Sequence, residues 1–137
     1  MSDRDFSKSF VFHNMEWVDD ILHMSDLGLW NMVTDPDMRD VKFYIDQTMA
    51  RLLGLKENLS PEACFEFWYK RINRGNHSYV NEAMDRIAHS GKLCEVQYTW
   101  NHPEWGDIPV RCGGRTRQLQ DGRLLITGYH QNMTNLD

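Results

Sequence analysis

The sequence predicts an α+β domain built on a five-stranded antiparallel sheet, and three observations carry that prediction. Residues 93–134 read as three consecutive strands with their turns between them. Residues 46–90 read as three helices with legible starts and stops, and two short strands separated by a proline turn come before them. Helices gathered between the second and third strands of such a sheet cover one of its faces and enclose the core.

Taken in order, residues 1–13 form a polar lead-in around Phe10, Val11 and Phe12, with no clear period. Asn14 is placed to cap a helix whose apolar residues Trp17, Val18, Ile21, Leu22 and Met24 recur at helical spacing, with Asp19 and Asp20 outward. That helix ends before Gly28, and its apolar face needs a partner. Residues 29–34 read as the first strand and 41–45 as the second, with Asp35-Pro36-Asp37-Met38 as the turn and proline preset at its second position. Asp46 caps a short helix over 47–53 that Gly54 closes. Ser60 and Pro61 open the next, which sets Cys64, Phe65, Trp68 and Ile72 on one face before Gly75 and Asn76 break it. The last helix runs over about 78–90 with the stripe Val80, Ala83, Met84 and Ile87, and stops at Gly91.

The three strands that follow carry a period of two. From Cys94 to His102 the even positions Cys94, Val96, Tyr98 and Trp100 are apolar or aromatic while Glu95, Gln97, Thr99 and Asn101 are polar. After the turn Pro103-Glu104-Trp105-Gly106, the positions Ile108, Val110, Cys112 and Gly114 point inward against Arg111, Arg115 and Arg117. Asp121-Gly122 turns the chain again, and Leu124, Ile126, Gly128 and His130 then alternate with Leu125, Thr127, Tyr129 and Gln131. Both faces of this last strand are fairly apolar, which predicts a central place in the sheet.

The text of this hairpin region carries a resemblance. The run Trp100-x-His102-Pro103-x-x-Gly106-x-x-x-Val110-Arg111, the Asp121-Gly122 turn, Leu124-x-x-x-Gly128-Tyr129 and the closing Asn132-Met133-Thr134 together resemble the PAS domains of bacterial signalling proteins. The subgroup it looks like has an HPxxG hairpin and a last strand ending in Asp-Ile-Thr or a variant. The resemblance covers about 27–134. It implies sheet order 2-1-5-4-3 with the helices on one face. It divides the chain into a lead-in and helix over 1–26, a sensory domain over 27–134, and the start of a linker at 135–137. A signalling helix and an output domain, a histidine kinase or a diguanylate cyclase, are expected beyond that point. Two departures stand out. Asn132 occupies the place of the family's usual aspartate, and Ile72-Asn73-Arg74-Gly75-Asn76 replaces its usual His-Pro-x-Asp.

Composition narrows the function. At 137 residues, 41% hydrophobic and 12% aromatic, the chain has the make-up of one globular domain. A net charge of −5 argues against nucleic acid as a partner, and the outward arginines at 111, 115 and 117 read as solvated charges on a strand. Three widely spaced cysteines set out neither a disulfide framework nor a metal site, and with no apolar run long enough for a span, the expectation is a cytoplasmic domain without direct membrane contact.

No catalytic motif is legible. Six histidines raise haem, but on helical geometry His89 falls opposite Val80 and should face solvent, while His77 reads as a cap or loop residue. Cys64 lacks the Asn-Cys-Arg-Phe-Leu-Gln context of the flavin-binding light sensors and reads as core filling. Neither haem nor flavin is therefore predicted. A ligand pocket is expected between the helices and the inward face of the last three strands, lined by Trp68, Met84, Tyr98, Trp100, Cys112 and His130. In flavin-binding relatives the place of His130, two residues after the glycine, holds a polar group that touches the ligand. Gly113 and Gly114 read as room for a neighbouring side chain or a ligand. Asn132, Met133 and Thr134 are expected to pass the signal out. The leading reading is a sensory module that binds a small molecule and works as a homodimer. A ligand-free PAS dimerisation module comes second, and a cone-shaped α+β enzyme, which would need an inward carboxylate, third.

Overall fold

The structure, a computed structural model, describes residues 20–134. The lead-in, the Asn14 cap with Trp17 and Val18, and the linker at 135–137 lie outside the described residues. Five strands, β1 (Leu27–Thr34), β2 (Lys42–Ile45), β3 (Cys94–His102), β4 (Gly106–Gln118) and β5 (Leu124–Asn132), form one sheet in the order β2-β1-β5-β4-β3. Every neighbouring pair is antiparallel. This is the order the resemblance implies, with β5 at the centre.

The helices α1 (Gln47–Leu52), α2 (Pro61–Lys70) and α3 (His77–Ser90) follow β2 as expected. Asp46 caps α1 by accepting from the Met49 N–H at 2.8 Å, and Ser60 caps α2 by accepting from the Ala63 N–H at 3.1 Å. Gly91 ends α3 in the left-handed conformation, φ 70°. The inward faces of sheet and helices enclose one core that includes Trp30, Met32, Phe43, Met49, Trp68, Val80, Trp100 and Ile126.

Local differences from the sequence reading have tertiary causes. β1 begins at Leu27, not 29, because β5 is long enough to pair with it as far as Leu27 opposite Gln131. The expected break at Gly75 and Asn76 is a 3-10 turn (Arg74–Asn76) that leads straight into α3. It hooks onto the sheet edge, where the Thr99 N–H donates to Asn76 Oδ1 at 2.8 Å. Ile72 lies past the end of α2 and forms a bridge with Trp100. Of the N-terminal stripe, residues 20–24 are helical, but only Leu22 is buried; Ile21 and Met24 are exposed. No helix among the described residues is long and apolar enough to cross a membrane.

Candidate ligand cavity

Strand alternation turns Trp30 and Met32 of β1, Cys112 of β4, and Ile126 and His130 of β5 toward the helices. Together with Phe43, Met49, Trp68 and the α3 residues Val80, Met84 and Ile87 they wall a cavity in the core. The space open to the centre of a water-sized sphere is about 20 Å³, room for a water molecule but little more.

Two glycines make this wall possible. Gly114 and Gly128 face each other across β4 and β5, and Trp30 pairs with Gly128 from the other side. The indole lies over both. A Cβ on Gly114 would sit 3.0 Å from the ring, and one on Gly128 would overlap the ring and the Gly113 carbonyl. Trp30 in turn stacks on Phe43 (centroids 5.6 Å apart, 17° between planes), and Phe43 stacks on Trp68 (5.9 Å, 9°). Gly113 faces the other way and makes room for the Tyr129 ring. Both members of the pair thus accommodate side chains.

Around this stack the polar atoms divide into paired and unpaired. The Trp68 indole N–H donates to the Tyr98 hydroxyl at 2.8 Å, and the Trp100 indole N–H to the Trp68 carbonyl at 2.9 Å. Both ring nitrogens of His130 are buried with no protein partner, and the buried Trp30 Nε1 has only the Cys112 thiol, a weak acceptor, beside it. His130 is 1% exposed, and burial pulls its pKa down to about 4, so the ring is neutral at pH 7. Burial likewise pushes the Cys112 thiol up to about 12 and holds the Tyr98 hydroxyl well above its usual range. The cavity therefore presents no charge.

Of the residues expected to line a pocket, Trp68, Met84, Cys112 and His130 do so. Tyr98 and Trp100 do not. Both are buried outside the cavity's lining and pack edge-on against His130 at 6.3 and 6.2 Å. Their inward direction follows from strand period, whereas their depth depends on β5 lying between β1 and β4. His89 is exposed, with Nδ1 near the Asp85 carbonyl at 3.0 Å, and His77 begins α3 with its ring 5.0 Å from Tyr69. Cys64 is buried in the core, its thiol pushed up to about 11. Among the described residues no aspartate or glutamate is buried, so no inward carboxylate meets the need of an acid–base enzyme. At the end of β5, Asn132 Oδ1 accepts from the Thr134 N–H at 3.0 Å and from its hydroxyl at 2.6 Å, while the Met133 N–H donates to the Pro109 carbonyl at 2.8 Å.

Two residues carry more than the sequence reading assigned them. The first is Trp30, and its signal in the sequence is Gly128, the small residue that makes room for the indole across the β1–β5 register. His102 is 3% exposed and holds the β3–β4 hairpin together: its Nδ1 accepts from the Glu104 and Trp105 N–H groups, both at 3.1 Å. Its ring stacks on Trp105 at 3.8 Å with 8° between planes, and burial lowers its pKa. The continued alternation from Trp100 to His102, just before the proline turn, was the signal there.

No family model matches the sequence, and no curated protein matches it. Solved structures do. The N-terminal domain of a diguanylate cyclase with PAS/PAC sensor from Marinobacter aquaeolei superposes with TM-score 0.58 at 17% identity, covering 79% of this chain and 95% of that one. A sensory box histidine kinase/response regulator from Burkholderia thailandensis gives 0.63 at 13%, covering 86% and 85%. An RNA-binding light-oxygen-voltage receptor gives 0.57 at 15%, covering 78% of this chain, which spans only 30% of that receptor. At these identities the likeness is one of fold. The strand order and these superpositions together show that the chain has the PAS fold.

Proposed function

We propose that this chain is a sensory module whose core cavity takes a small molecule and whose occupancy is passed through β5 to an output domain. The observation that carries the reading is His130: a fully buried ring with both nitrogens unpaired, facing a cavity. Unpaired buried polar groups cost about 1–3 kcal/mol each, so a fold that keeps them gains from whatever pairs them. β5 is the central strand, runs from the cavity wall to Asn132–Thr134, and so connects occupancy to the end of the domain. A histidine kinase or a diguanylate cyclase is the proposed output, after the proteins that share the fold. The chain's action is regulatory and its setting the cytoplasm.

A second reading has its own support. Trp68 touches Tyr98, Tyr98 and Trp100 both pack on His130, and the remaining space is small, which suits a ligand-free relay that works as a homodimer. Native mass spectrometry with an absorbance spectrum of the chain purified from its host separates the two. A small-molecule adduct, with no absorbance beyond that of the aromatic residues, is expected. A bare mass that no small molecule changes would sink the sensory reading in favour of the relay.

A further inference from the structure

The turn between β3 and β4 is held by a titratable ring in an arrangement that only its neutral form satisfies. His102 Nδ1 accepts from the Glu104 and Trp105 N–H groups, both at 3.1 Å. A ring nitrogen that accepts carries no proton, so the imidazole is neutral and its proton sits on Nε2. Nε2 lies beside the Arg51 carbonyl near the end of α1 without completing a hydrogen bond. Gly54 closes over the same edge, where a Cβ would meet Nε2 at 3.0 Å. The Trp105 indole covers one face of the ring and is itself 55% exposed. We propose that His102 is a pH-sensitive latch: neutral, it fastens the turn over 103–105 and holds Trp105 flat on its ring, and protonated, it releases both.

Protonation adds a hydrogen at Nδ1, which then faces two N–H donors and no acceptor, so both turn bonds are lost. The surroundings decide where this happens. Burial opposes the charged ring most strongly, and the Arg71 guanidinium just past the end of α2 adds to it. The Glu104 carboxylate in the turn and the Arg51 carbonyl from α1 act the other way. Lys56, from the loop after α1, pairs with Glu104 at 3.7 Å, while Trp100, edge-on to the ring at 6.2 Å, carries no charge. The closed latch therefore takes up its proton at lower pH than the opened one, whose exposed ring has the ordinary histidine value of about 6.5. The latch is complete above that pH and weakens as the pH falls toward the closed ring's value, by up to about tenfold per pH unit. An asparagine at 102 would accept from the same two N–H groups through its side-chain oxygen, as in an Asx turn, and does not titrate.

The test is NMR of the ¹⁵N-labelled full chain between about pH 7.5 and 5, with exchange rates corrected for the intrinsic effect of pH. At the upper end the ring nitrogen shifts of His102 should report a proton on Nε2 and none on Nδ1. On acidification the protection of the Glu104 and Trp105 amides should fall several-fold, ahead of the Ile126 amide, which sits in the central strand and follows opening of the whole domain. In His102→Asn both turn amides should keep their protection relative to Ile126 across the range. A proton on Nδ1 at the upper end overturns the latch, as does protection of the two amides that persists down to the lower end. Loss in step with Ile126 overturns it too, since the acid effect is then one on the whole fold. A loss in His102→Asn equal to that of the unmutated chain assigns the opening to another group. Should that variant fail to fold, the ring shifts and the three amides of the unmutated chain still decide.

Discussion

The Trp68 indole N–H and the Tyr98 hydroxyl meet at 2.8 Å inside the core, tying α2 to β3 across 30 residues of sequence. Both groups are shielded from water, so removing one leaves the other without a partner. Tyr98→Phe should destabilise the domain by about 1–3 kcal/mol, measured by urea denaturation. The double variant Tyr98→Phe/Trp68→Phe should lose less than the two single variants summed, since the second change removes the orphaned donor. Additive losses would mean that the bond contributes nothing of its own.

Acid should weaken the fold through His130. Its pKa lies at about 4 in the folded protein because burial disfavours the charged ring, against about 6.5 in the unfolded chain. Between those values the unfolded chain binds the proton and the folded one does not, so stability falls as the pH drops from 6.5 to 4. The full gap is worth about 3 kcal/mol. His102, also lowered by burial, acts in the same direction. Denaturation midpoints across that range check the slope, and His130→Gln should flatten it. His130 ring signals that titrate near 6.5 in the folded state would contradict the assignment.

Gly128→Ala should be among the most damaging single changes in the chain. The added methyl overlaps the Trp30 ring and the Gly113 carbonyl, and that carbonyl belongs to β4, held between β5 and β3 with little room to give way. A loss of about 3 kcal/mol or more, or failure to fold, is expected. Gly91→Ala is the control. Its Cβ meets open space, and only the left-handed backbone, φ 70°, costs about 1–2 kcal/mol. Thermal unfolding of the two variants side by side gives the comparison.

Asn132→Ala removes the acceptor for both the Thr134 N–H and its hydroxyl. The bonds are local and partly exposed, so the stability loss should be about 0.5–1.5 kcal/mol, with faster hydrogen exchange at the Thr134 amide. On the proposed sensory reading, the same change in the chain fused to a histidine kinase or diguanylate cyclase output domain should uncouple input from output while the domain stays folded. Output regulation that survives the change would make Asn132 a local turn former.

Much of the architecture is legible in the sequence, because it depends on local chemistry. The period of two from Cys94 to His102 dictates which side chains face the helices, since successive Cβ atoms in a strand point to opposite faces. Asp46, Ser60 and Gly91 mark helix ends because free backbone groups need partners within one turn. The apolar character of both faces of β5 signalled its central position. Sequence could also say that His130 faces inward. It could not say that both nitrogens would stay unpaired, that Tyr98 and Trp100 would pack on its ring outside the cavity's lining, or that His102 would bind its own hairpin turn. Those facts depend on how closely β1, β4 and α3 approach β5, and thus on the indole of Trp30 settling over Gly114 and Gly128. A cavity of about 20 Å³ is a small remainder between large packed volumes, and only the assembled tertiary structure determines it.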